Sequence, residues 1–287
     1  LALLGLQFFH GARMMLAAAA DGRTPTGPAR PPCALVTTPL FHVSGLYTGA
    51  IVMLASGAKT VWRSGRFDPA DVMRLIEREQ VTSWGPMGTM VHRVVHHPDV
   101  AKYDLSSVAS IGSGGAPMSP ELQQKIRAVF PNAQASLRLG YGLTECTALA
   151  TLAFGEELAR HPTTAGRPLP TVQLQIRGAD GRALAEGETG EICVRSPLVM
   201  TGYWRNPQAS AESIAADRWL RTGDVGRIEQ GRLYVDSRAR DLILRGGENI
   251  YPVEIEQRLE AHPDVLEAAV VGVDHEDTKR VIALAAG

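Results

Sequence analysis

The stretch from Gly140 to Thr147 concentrates side chains that suit a nucleotide. It reads Gly-Tyr-Gly-Leu-Thr-Glu-Cys-Thr. The ring of Tyr141 can stack on a base, and the glycines on either side let the backbone approach a ligand closely. Thr144 supplies a hydroxyl, and Glu145 supplies a hard oxygen ligand suited to Mg2+ beside phosphates. These residues therefore predict a nucleotide site, and the alternative is a glycine-rich turn with a surface glutamate.

A second glycine-rich loop, from Gly112 to Pro117, also follows a predicted strand. The third glycine of a dinucleotide fingerprint would stand where Pro117 is, so a Rossmann site is not indicated. Ser113 does not lie in a Gly-x-Ser-x-Gly elbow, which argues against a hydrolase. Because both loops come at the carboxyl ends of predicted strands, Val108–Ile111 and Gln134–Leu139, we predict that they flank one ligand crevice.

The first half of the chain alternates short β-branched runs with amphipathic helical segments. The predicted helix from Pro69 to Gln80 follows Asp68, a helix-capping residue, and has proline in its first position. This alternation predicts α/β units around a largely parallel sheet. Further strands are predicted at Cys33–Thr38, Lys59–Trp62 and Val81–Trp84.

The second half predicts a different architecture. Short runs joined by tight turns at Asp180-Gly181 and Gln230-Gly231 indicate a small antiparallel β element. A small α+β unit follows, with a helix at Val253–Ala261 and a β run at Leu266–Val273, and we expect it to be truncated. The predicted fold class is α/β, with a large domain over residues 1–238 and a small domain over residues 241–287.

Composition and charge exclude several classes of function. The 287 residues carry 29 basic and 30 acidic side chains, for a formal net charge of -1. Because the net charge is close to zero, the protein has no overall electrostatic field that would attract nucleic acid or an anionic membrane. The cysteines, Cys33, Cys146 and Cys193, are too few and too widely spaced for a disulfide framework or a Cys-x-x-Cys metal site. A reducing compartment is favoured, and we expect a cytoplasmic protein.

The chain opens with an apolar segment from Leu1 to Ala20. His10 and Arg13 interrupt this segment well short of the roughly 18 apolar residues that a membrane span requires. No basic region precedes it, so a signal peptide is not indicated. We expect a buried or amphipathic helix and no transmembrane segment. Because the first residue is not Met, we expect a fragment of a longer protein.

Six segments, in order along the chain, carry a resemblance to a known family. They are Phe41-His42-Val43-Ser44-Gly45, Gly114-Gly115-Ala116-Pro117, Tyr141-Gly142-Leu143-Thr144-Glu145, Gly190-Glu191-Ile192 through Gly202-Tyr203-Trp204, Arg221-Thr222-Gly223-Asp224, and Arg238 to Asp241 leading into Gly246-Gly247-Glu248-Asn249-Ile250-Tyr251-Pro252. Any one segment is a weak signal, but six in the family's order are a specific one. The chain resembles the adenylate-forming superfamily, which contains AMP-forming acyl-CoA synthetases, luciferases and peptide-synthetase adenylation domains.

This resemblance implies a ligase reaction in two steps. A carboxylic acid is joined to ATP to give an acyl-adenylate and pyrophosphate, and the acyl group then passes to a thiol, usually coenzyme A. Such transfers need positioning and charge stabilisation more than a protein nucleophile. The implied ligands are ATP or AMP, Mg2+, coenzyme A and a carboxylic acid. The large domain would be the AMP-binding, adenylating one.

The resemblance also implies roles for residues at matching positions in the nucleotide site. Tyr141 would stack on adenine, and the backbone of Gly114 to Pro117 would form the opposite wall of the base pocket. Thr144 would contact phosphate, and Glu145 would hold Mg2+.

Two residues from the second half of the chain would complete this site. Asp224 would accept hydrogen bonds from the ribose hydroxyls, and Arg238 would contact ribose or phosphate. The neighbouring glycines, Gly140 and Gly142, belong to the same nucleotide-binding set. The alternatives are a Gly-Asp turn for Asp224 and a surface salt bridge for Arg238.

Arg240 stands where the family has its hinge, although Asp or Lys is usual there. Rotation at the hinge would exchange two faces of the small domain over one site, one for each half-reaction. The loop that contains Gly246, Gly247 and Glu248 would lie on the coenzyme A side.

The acid to be activated is indicated by the FHVSG segment and the region after it. Amino-acid-activating members usually carry Asp at the position of His42, where it pairs with the substrate amine, so His42 implies an acid without an amine. His42 would border the carboxylate or the acyl entrance as a catalytic candidate, and the alternative is a structural histidine. Trp84, Met87, Gly88 and Met90 match the family's acyl-pocket region and are apolar and adaptable. A fatty acid is the first choice and an aryl acid the second. The alternative for Trp84 and the methionines is ordinary core packing.

Two family motifs have no match in this sequence. The phosphate-binding loop should precede Phe41, and a catalytic lysine should come late, yet the last lysine, Lys279, has no Gly-Lys context. We expect a fragment of an active enzyme that alone binds AMP or acyl-adenylate weakly and does not turn over. The rival is a non-catalytic nucleotide- or acyl-binding module that naturally lacks both ends.

Overall fold

The computed structural model describes residues 31–114, 118–238, 243–245, 248–262, 264–265, 267–275 and 278–286. The apolar opening segment from Leu1 to Ala20 lies outside these ranges. None of the helices in the ranges that are described combines the length and the apolar character that a bilayer crossing demands.

A seven-stranded mixed sheet organises the first half of the chain. Its strands are β1 (Cys33–Val36), β2 (Lys59–Trp62), β3 (Ser83–Trp84), β4 (Ser110–Gly114), β5 (Leu137–Tyr141), β6 (Thr151–Phe154) and β7 (Arg167–Pro168). They lie in the order β2-β1-β3-β4-β5-β6-β7. In that order, the neighbouring pairs from β2 to β5 are parallel, whereas the β5–β6 and β6–β7 pairs at one edge are antiparallel. The predicted α/β class is confirmed.

Helices lie between successive strands of this sheet. They are a π-helix (Ser44–Val52) that continues into α1 (Met53–Ala55), then α2 (Pro69–Glu79), α3 (Gly88–Val95), α4 (Pro120–Val129) and α5 (Gly155–Arg160). Asp68 caps α2, because its Oδ1 accepts the Ala70 N–H at 2.9 Å. Ser119 caps α4, because its Oγ accepts the Leu122 N–H at 3.2 Å. Each cap satisfies an N–H group that has no partner inside the helix.

The main core lies between the helices and this sheet. Ile76 from α2, Ile111 from β4 and Phe130 after α4 are fully or almost fully buried there. The Trp84 and Phe130 rings meet at a centroid distance of 6.2 Å. Burying each such side chain stabilises the fold by about 1.5–3 kcal/mol, so this core fixes the strands that carry the glycine-rich segments.

A separate four-stranded antiparallel sheet follows. Its strands are β8 (Gln173–Arg177), β9 (Gly190–Arg195), β10 (Leu220–Glu229) and β11 (Arg232–Arg238), with α6 (Pro207–Ser213) between β9 and β10. They lie in the order β11-β10-β9-β8. A second core of buried residues, among them Ile192, Leu220 and Leu233, also includes Tyr141 from the end of β5. The two sheets are therefore joined at the position that the sequence singled out.

The last described residues form a small α+β unit. It consists of β12 (Ile243–Arg245), β13 (Glu248–Ile250), α7 (Pro252–Glu260), β14 (Glu267–His275) and β15 (Thr278–Ala286). Glu256 on α7 accepts the Val270 N–H through Oε1 at 2.9 Å, which ties the helix to β14. The predicted boundary near residue 240 lies outside the described residues, so the division into two domains stays a prediction.

Two strand boundaries near the glycine-rich segments differ from the sequence-based expectation. β5 begins at Leu137 rather than Gln134, because Pro131–Ser136 form a 3-10 helix. β4 spans Ser110–Gly114 rather than Val108–Ile111. Consequently Gly114 and Gly140 lie within paired strands and not in loops.

Candidate functional site

Gly114 and Gly140, one from each glycine-rich segment, lie side by side at the carboxyl ends of β4 and β5. These strands are parallel, and their register pairs Gly114 with Gly140. A Cβ atom on Gly114 would lie 2.9 Å from the carbonyl oxygen of Gly140, so the approach of the two strands favours glycine. The structure thus brings together two segments that the sequence assigned to one crevice.

The glycines that flank Tyr141 face protein rather than open space. A Cβ atom on Gly140 would lie 2.4 Å from Leu149 Cδ1 and 3.0 Å from the Thr151 carbonyl oxygen. A Cβ atom on Gly142 would lie 2.1 Å from the carbonyl oxygen of Ala148. This differs from the expectation that these glycines let a ligand approach, because the chain's own residues 148–151 occupy the space beside them.

Replacing Gly142 with alanine is therefore expected to destabilise the protein. The new methyl group would overlap backbone that cannot move aside cheaply, at a cost of about 2–3 kcal/mol, which corresponds to a fall in Tm of about 5–10 °C in a thermal unfolding scan. Gly112→Ala is the matched control, since a Cβ atom there meets nothing within 4 Å. Equal shifts in the two variants would contradict this packing.

Tyr141 links the end of β5 to the second sheet. Its hydroxyl donates to Asp224 Oδ2 at 2.7 Å. Burial, and then the Asp224 carboxylate, raise the pKa of Tyr141 above its usual range, so the phenol stays protonated and remains a donor. The side chain is only 9% exposed, which leaves little of the ring open for stacking on a base in this structure.

Asp224 lies in a local irregularity of β10. The pairing of β10 with β9 is interrupted after Arg221 and resumes beyond Asp224. Glu191 on β9 holds this part of β10 in place, because its carboxylate accepts hydrogen bonds from Arg221 Nε at 2.9 Å and from the Gly223 N–H at 3.3 Å. Thr222 Oγ1 accepts the Asp224 N–H at 3.1 Å. These contacts hold the carboxylate of Asp224 where it meets Tyr141.

The backbone register of β10 and β11 pairs Asp224 with Arg238. The resemblance assigned Asp224 to the ribose and Arg238 to the ribose or a phosphate. The side chain of Arg238 lies outside what the structure describes, so its role stays a prediction.

Thr144 and Glu145 follow Tyr141 in a short 3-10 turn, Thr144–Cys146. Thr144 is exposed, and Glu145 is half-buried. Glu145 Oε1 accepts a hydrogen bond from the Tyr203 hydroxyl at 2.8 Å, and its backbone carbonyl accepts the Met200 N–H at 2.8 Å. The candidate Mg2+ ligand is thus held by a segment that lies more than fifty residues further along the chain.

An open cleft of about 260 Å³ joins Glu145 to the irregular part of β10. It is lined by Leu143, Glu145, Glu191, Tyr203, Glu212, Ser213, Arg221, Thr222 and Gly223. Carboxylates, hydroxyls and one guanidinium thus face a space beside both halves of the predicted nucleotide site.

His42 makes only local contacts among the described residues. Its Nδ1 lies 2.6 Å from Ser44 Oγ and accepts the Ser44 N–H at 3.2 Å. These contacts orient the ring at the start of the π-helix. Its role at the substrate carboxylate stays a prediction.

Trp84 belongs to the main core. It is 2% exposed, and its Nε1 donates to Thr37 Oγ1 at 3.1 Å. Thr37 Oγ1 in turn donates to Met90 Sδ at 3.5 Å. Met87 and Gly88, at the start of α3, are half-buried. Trp84 therefore offers almost no surface to an acyl chain here and packs as a core residue, whereas Met87 and Gly88 keep surface that a substrate could reach.

Several predicted site residues lie outside the described residues. They are Gly115, Ala116, Pro117, the hinge candidate Arg240, and Gly246 and Gly247 of the loop assigned to coenzyme A. Glu248 is described as part of β13, but its side chain is not.

Sequence reasoning did not assign a role to Tyr203 or Glu191. Both residues lie in segments that resemble the family, and this resemblance is the signal by which they could have been found. Their partners, Glu145 and Gly223, lie 58 and 32 residues away along the chain, so only the fold reveals the contacts.

The residues of the cleft fit Mg2+ in chemical type. Glu145 supplies a carboxylate oxygen, and Mg2+ is usually held by one or two carboxylates together with waters and substrate phosphates. Among the described residues, no three His, Cys, Asp or Glu side chains form a group that could hold a metal ion by themselves. The cleft residues therefore suit a cation that binds together with a phosphate-bearing ligand.

Known proteins show similarity along most of the chain. A family model described as AMP-binding enzyme matches residues 7–204. The mitochondrial medium-chain acyl-CoA ligase ACSF2 of Danio rerio is 36% identical over 241 residues, which cover 83% of this chain and 39% of that protein. The indoleacetate–CoA ligase of Aromatoleum aromaticum is 39% identical over 239 residues, which cover 83% of this chain and 46% of that protein.

A solved structure shows the same similarity in three dimensions. The o-succinylbenzoate CoA synthetase of Bacillus subtilis, in complex with its acyl-adenylate intermediate, superimposes with a TM-score of 0.77 at 31% identity. The match covers 98% of this chain and 55% of that one. The chain spans less than half the length of the two curated relatives.

Proposed function

Since the chain belongs to the family of AMP-binding enzymes, we propose that the protein containing it is an AMP-forming acid–thiol ligase. It joins a carboxylic acid to ATP, releases pyrophosphate, and passes the acyl group from the acyl-adenylate to coenzyme A. The observation that supports this best is the 2.7 Å hydrogen bond from the Tyr141 hydroxyl to Asp224 Oδ2. It joins the carboxyl end of the parallel sheet to the second sheet. Ligands of open α/β sheets bind at such ends.

In the first half-reaction, an oxygen of the substrate carboxylate attacks the α-phosphorus of ATP. The bond from that phosphorus to the bridging oxygen breaks, and pyrophosphate leaves with the electron pair. Asp224 holds the ribose, and Thr144 contacts the phosphates. Mg2+, when bound, stabilises the negative charge on the phosphoryl oxygens, and Glu145 is the residue that would hold it. Fixing the two reactants in line accounts for much of the rate enhancement.

In the second half-reaction, the thiol of coenzyme A loses its proton to solvent, and its sulfur forms a bond to the acyl carbon. The bond from that carbon to the phosphate oxygen breaks, and AMP leaves with the electron pair. The small C-terminal unit contributes to this step through the hinge at Arg240 and the loop at Gly246 and Gly247. Movement of this unit between the half-reactions would let one site serve both.

The proposed substrate is a fatty acid, with an aryl acid as the alternative. Relatives with similar sequences are named for a medium-chain acid and for indoleacetate, so both classes occur among similar proteins. His42 stands where amino-acid-activating enzymes need an acidic side chain, which disfavours an amino acid. A cytoplasmic location is part of the proposal, because Cys33, Cys146 and Cys193 are buried free thiols.

The test is ATP–pyrophosphate exchange by the full-length protein with a panel of fatty, aryl and amino acids. We expect exchange that requires the acid, strongest with a fatty or aryl acid and at background with amino acids. AMP binding without exchange for any acid would instead indicate a non-catalytic nucleotide- or acyl-binding module.

A further inference from the structure

Tyr203 contacts the candidate Mg2+ residue directly. Its hydroxyl donates to Glu145 Oε1 at 2.8 Å, and its side chain lines the same cleft. Tyr203 is 37% exposed, so the phenol lies at the wall of the cleft and not in the core.

The segment that carries Tyr203 is fastened to the turn that carries Glu145. Thr147 Oγ1 donates to the Leu198 carbonyl at 2.7 Å, and the Met200 N–H donates to the Glu145 carbonyl at 2.8 Å. The Tyr203 N–H donates to Ser210 Oγ on α6 at 2.8 Å. Because the backbone is anchored on both sides, the phenol can hold a fixed position against Glu145.

The two oxygens of this carboxylate have different surroundings. Within the described ranges, Oε1 is the Glu145 oxygen that accepts a hydrogen bond, and its donor is the Tyr203 hydroxyl. A carboxylate that is restrained through one oxygen presents the other as a ligand in a defined direction, which suits a cation that demands near-octahedral geometry.

We propose that Tyr203 is a positioning residue that holds Glu145 through Oε1, so that Oε2 is the oxygen offered to a divalent cation bound with the nucleotide. This role rests on the proposed function, since it takes Glu145 as the cation ligand. Tyr203 acts through Glu145 and does not itself touch the reacting atoms.

The test measures binding of Mn2+, as a stand-in for Mg2+, to the full-length protein in the presence of ATP by electron paramagnetic resonance. Tyr203→Phe keeps the ring and removes the hydroxyl. We expect a Mn2+ Kd about fivefold weaker, as for the loss of one hydrogen bond, with AMP affinity changed less than twofold. Tyr234→Phe is the matched control, because Tyr234 lies on β11 with its ring against Arg227 and does not line the cleft.

Two results would overturn the proposal. One is an unchanged Mn2+ affinity in Tyr203→Phe, and the other is an equal loss of Mn2+ and AMP affinity, which would indicate a general structural role. A full-length protein that binds neither AMP nor Mn2+ before substitution would overturn the proposed function itself. The two failures are therefore distinguishable.

Discussion

Replacing Asp224 with alanine is expected to weaken AMP binding by about 30- to 150-fold. In the proposed site the carboxylate accepts hydrogen bonds from the ribose, and losing charged hydrogen bonds of this kind costs about 2–3 kcal/mol. The measurement is isothermal titration of the full-length protein with AMP. The substitution also leaves the Tyr141 hydroxyl without its 2.7 Å partner, so a thermal unfolding scan accompanies the titration.

Asp180→Ala is the matched control for this experiment. Asp180 lies in an exposed turn, where its Oδ1 accepts the Arg182 N–H at 3.0 Å. We expect no change in AMP affinity in this control. A loss of less than threefold in Asp224→Ala, in a protein that is still folded, would remove Asp224 from the ribose site.

Glu145→Gln is expected to lower ATP–pyrophosphate exchange by the full-length protein by about 100-fold. Glutamine keeps the shape of the side chain and an oxygen that can accept from Tyr203, but it removes the charge that holds a divalent cation. AMP affinity should change less than threefold, because AMP binding does not depend on the metal in this account.

The matched control for Glu145→Gln is Glu212→Gln. Glu212 lines the same cleft and accepts from Gln208 Nε2 at 3.0 Å, so this substitution tests whether any charge in the cleft matters equally. Undiminished exchange in Glu145→Gln would exclude Glu145 as the Mg2+ ligand.

Local signals predicted the helices of the fold well. Asp68 with the following Pro69 predicted the start of α2, and in the structure Asp68 accepts a backbone N–H group at that helix end. Such signals act within one turn of the chain, so neighbouring residues suffice to read them. The alternation of strands and helices likewise predicted the parallel part of the sheet.

Contacts between distant segments could not be predicted from neighbouring residues of the sequence. A glycine beside a predicted site suggests room for a ligand, yet the space beside Gly142 is filled by Ala148. Trp84 lies in a region that resembles an acyl pocket, yet burial against Phe130 places it in the core. The pairing of Tyr203 with Glu145 depends on how the second half of the chain folds over the first, which no local pattern encodes.

The central claim is that the carboxyl end of the parallel sheet and the second sheet together bind an acyl-adenylate. It is tested most directly by a crystal structure of this chain with a non-hydrolysable acyl-sulfamoyl adenosine. We predict the ribose on Asp224, the adenine beside Gly114 and Tyr141, and the sulfamoyl group next to Thr144. Density for the adenosine at any other place, with Asp224 still bonded only to protein, would contradict the account.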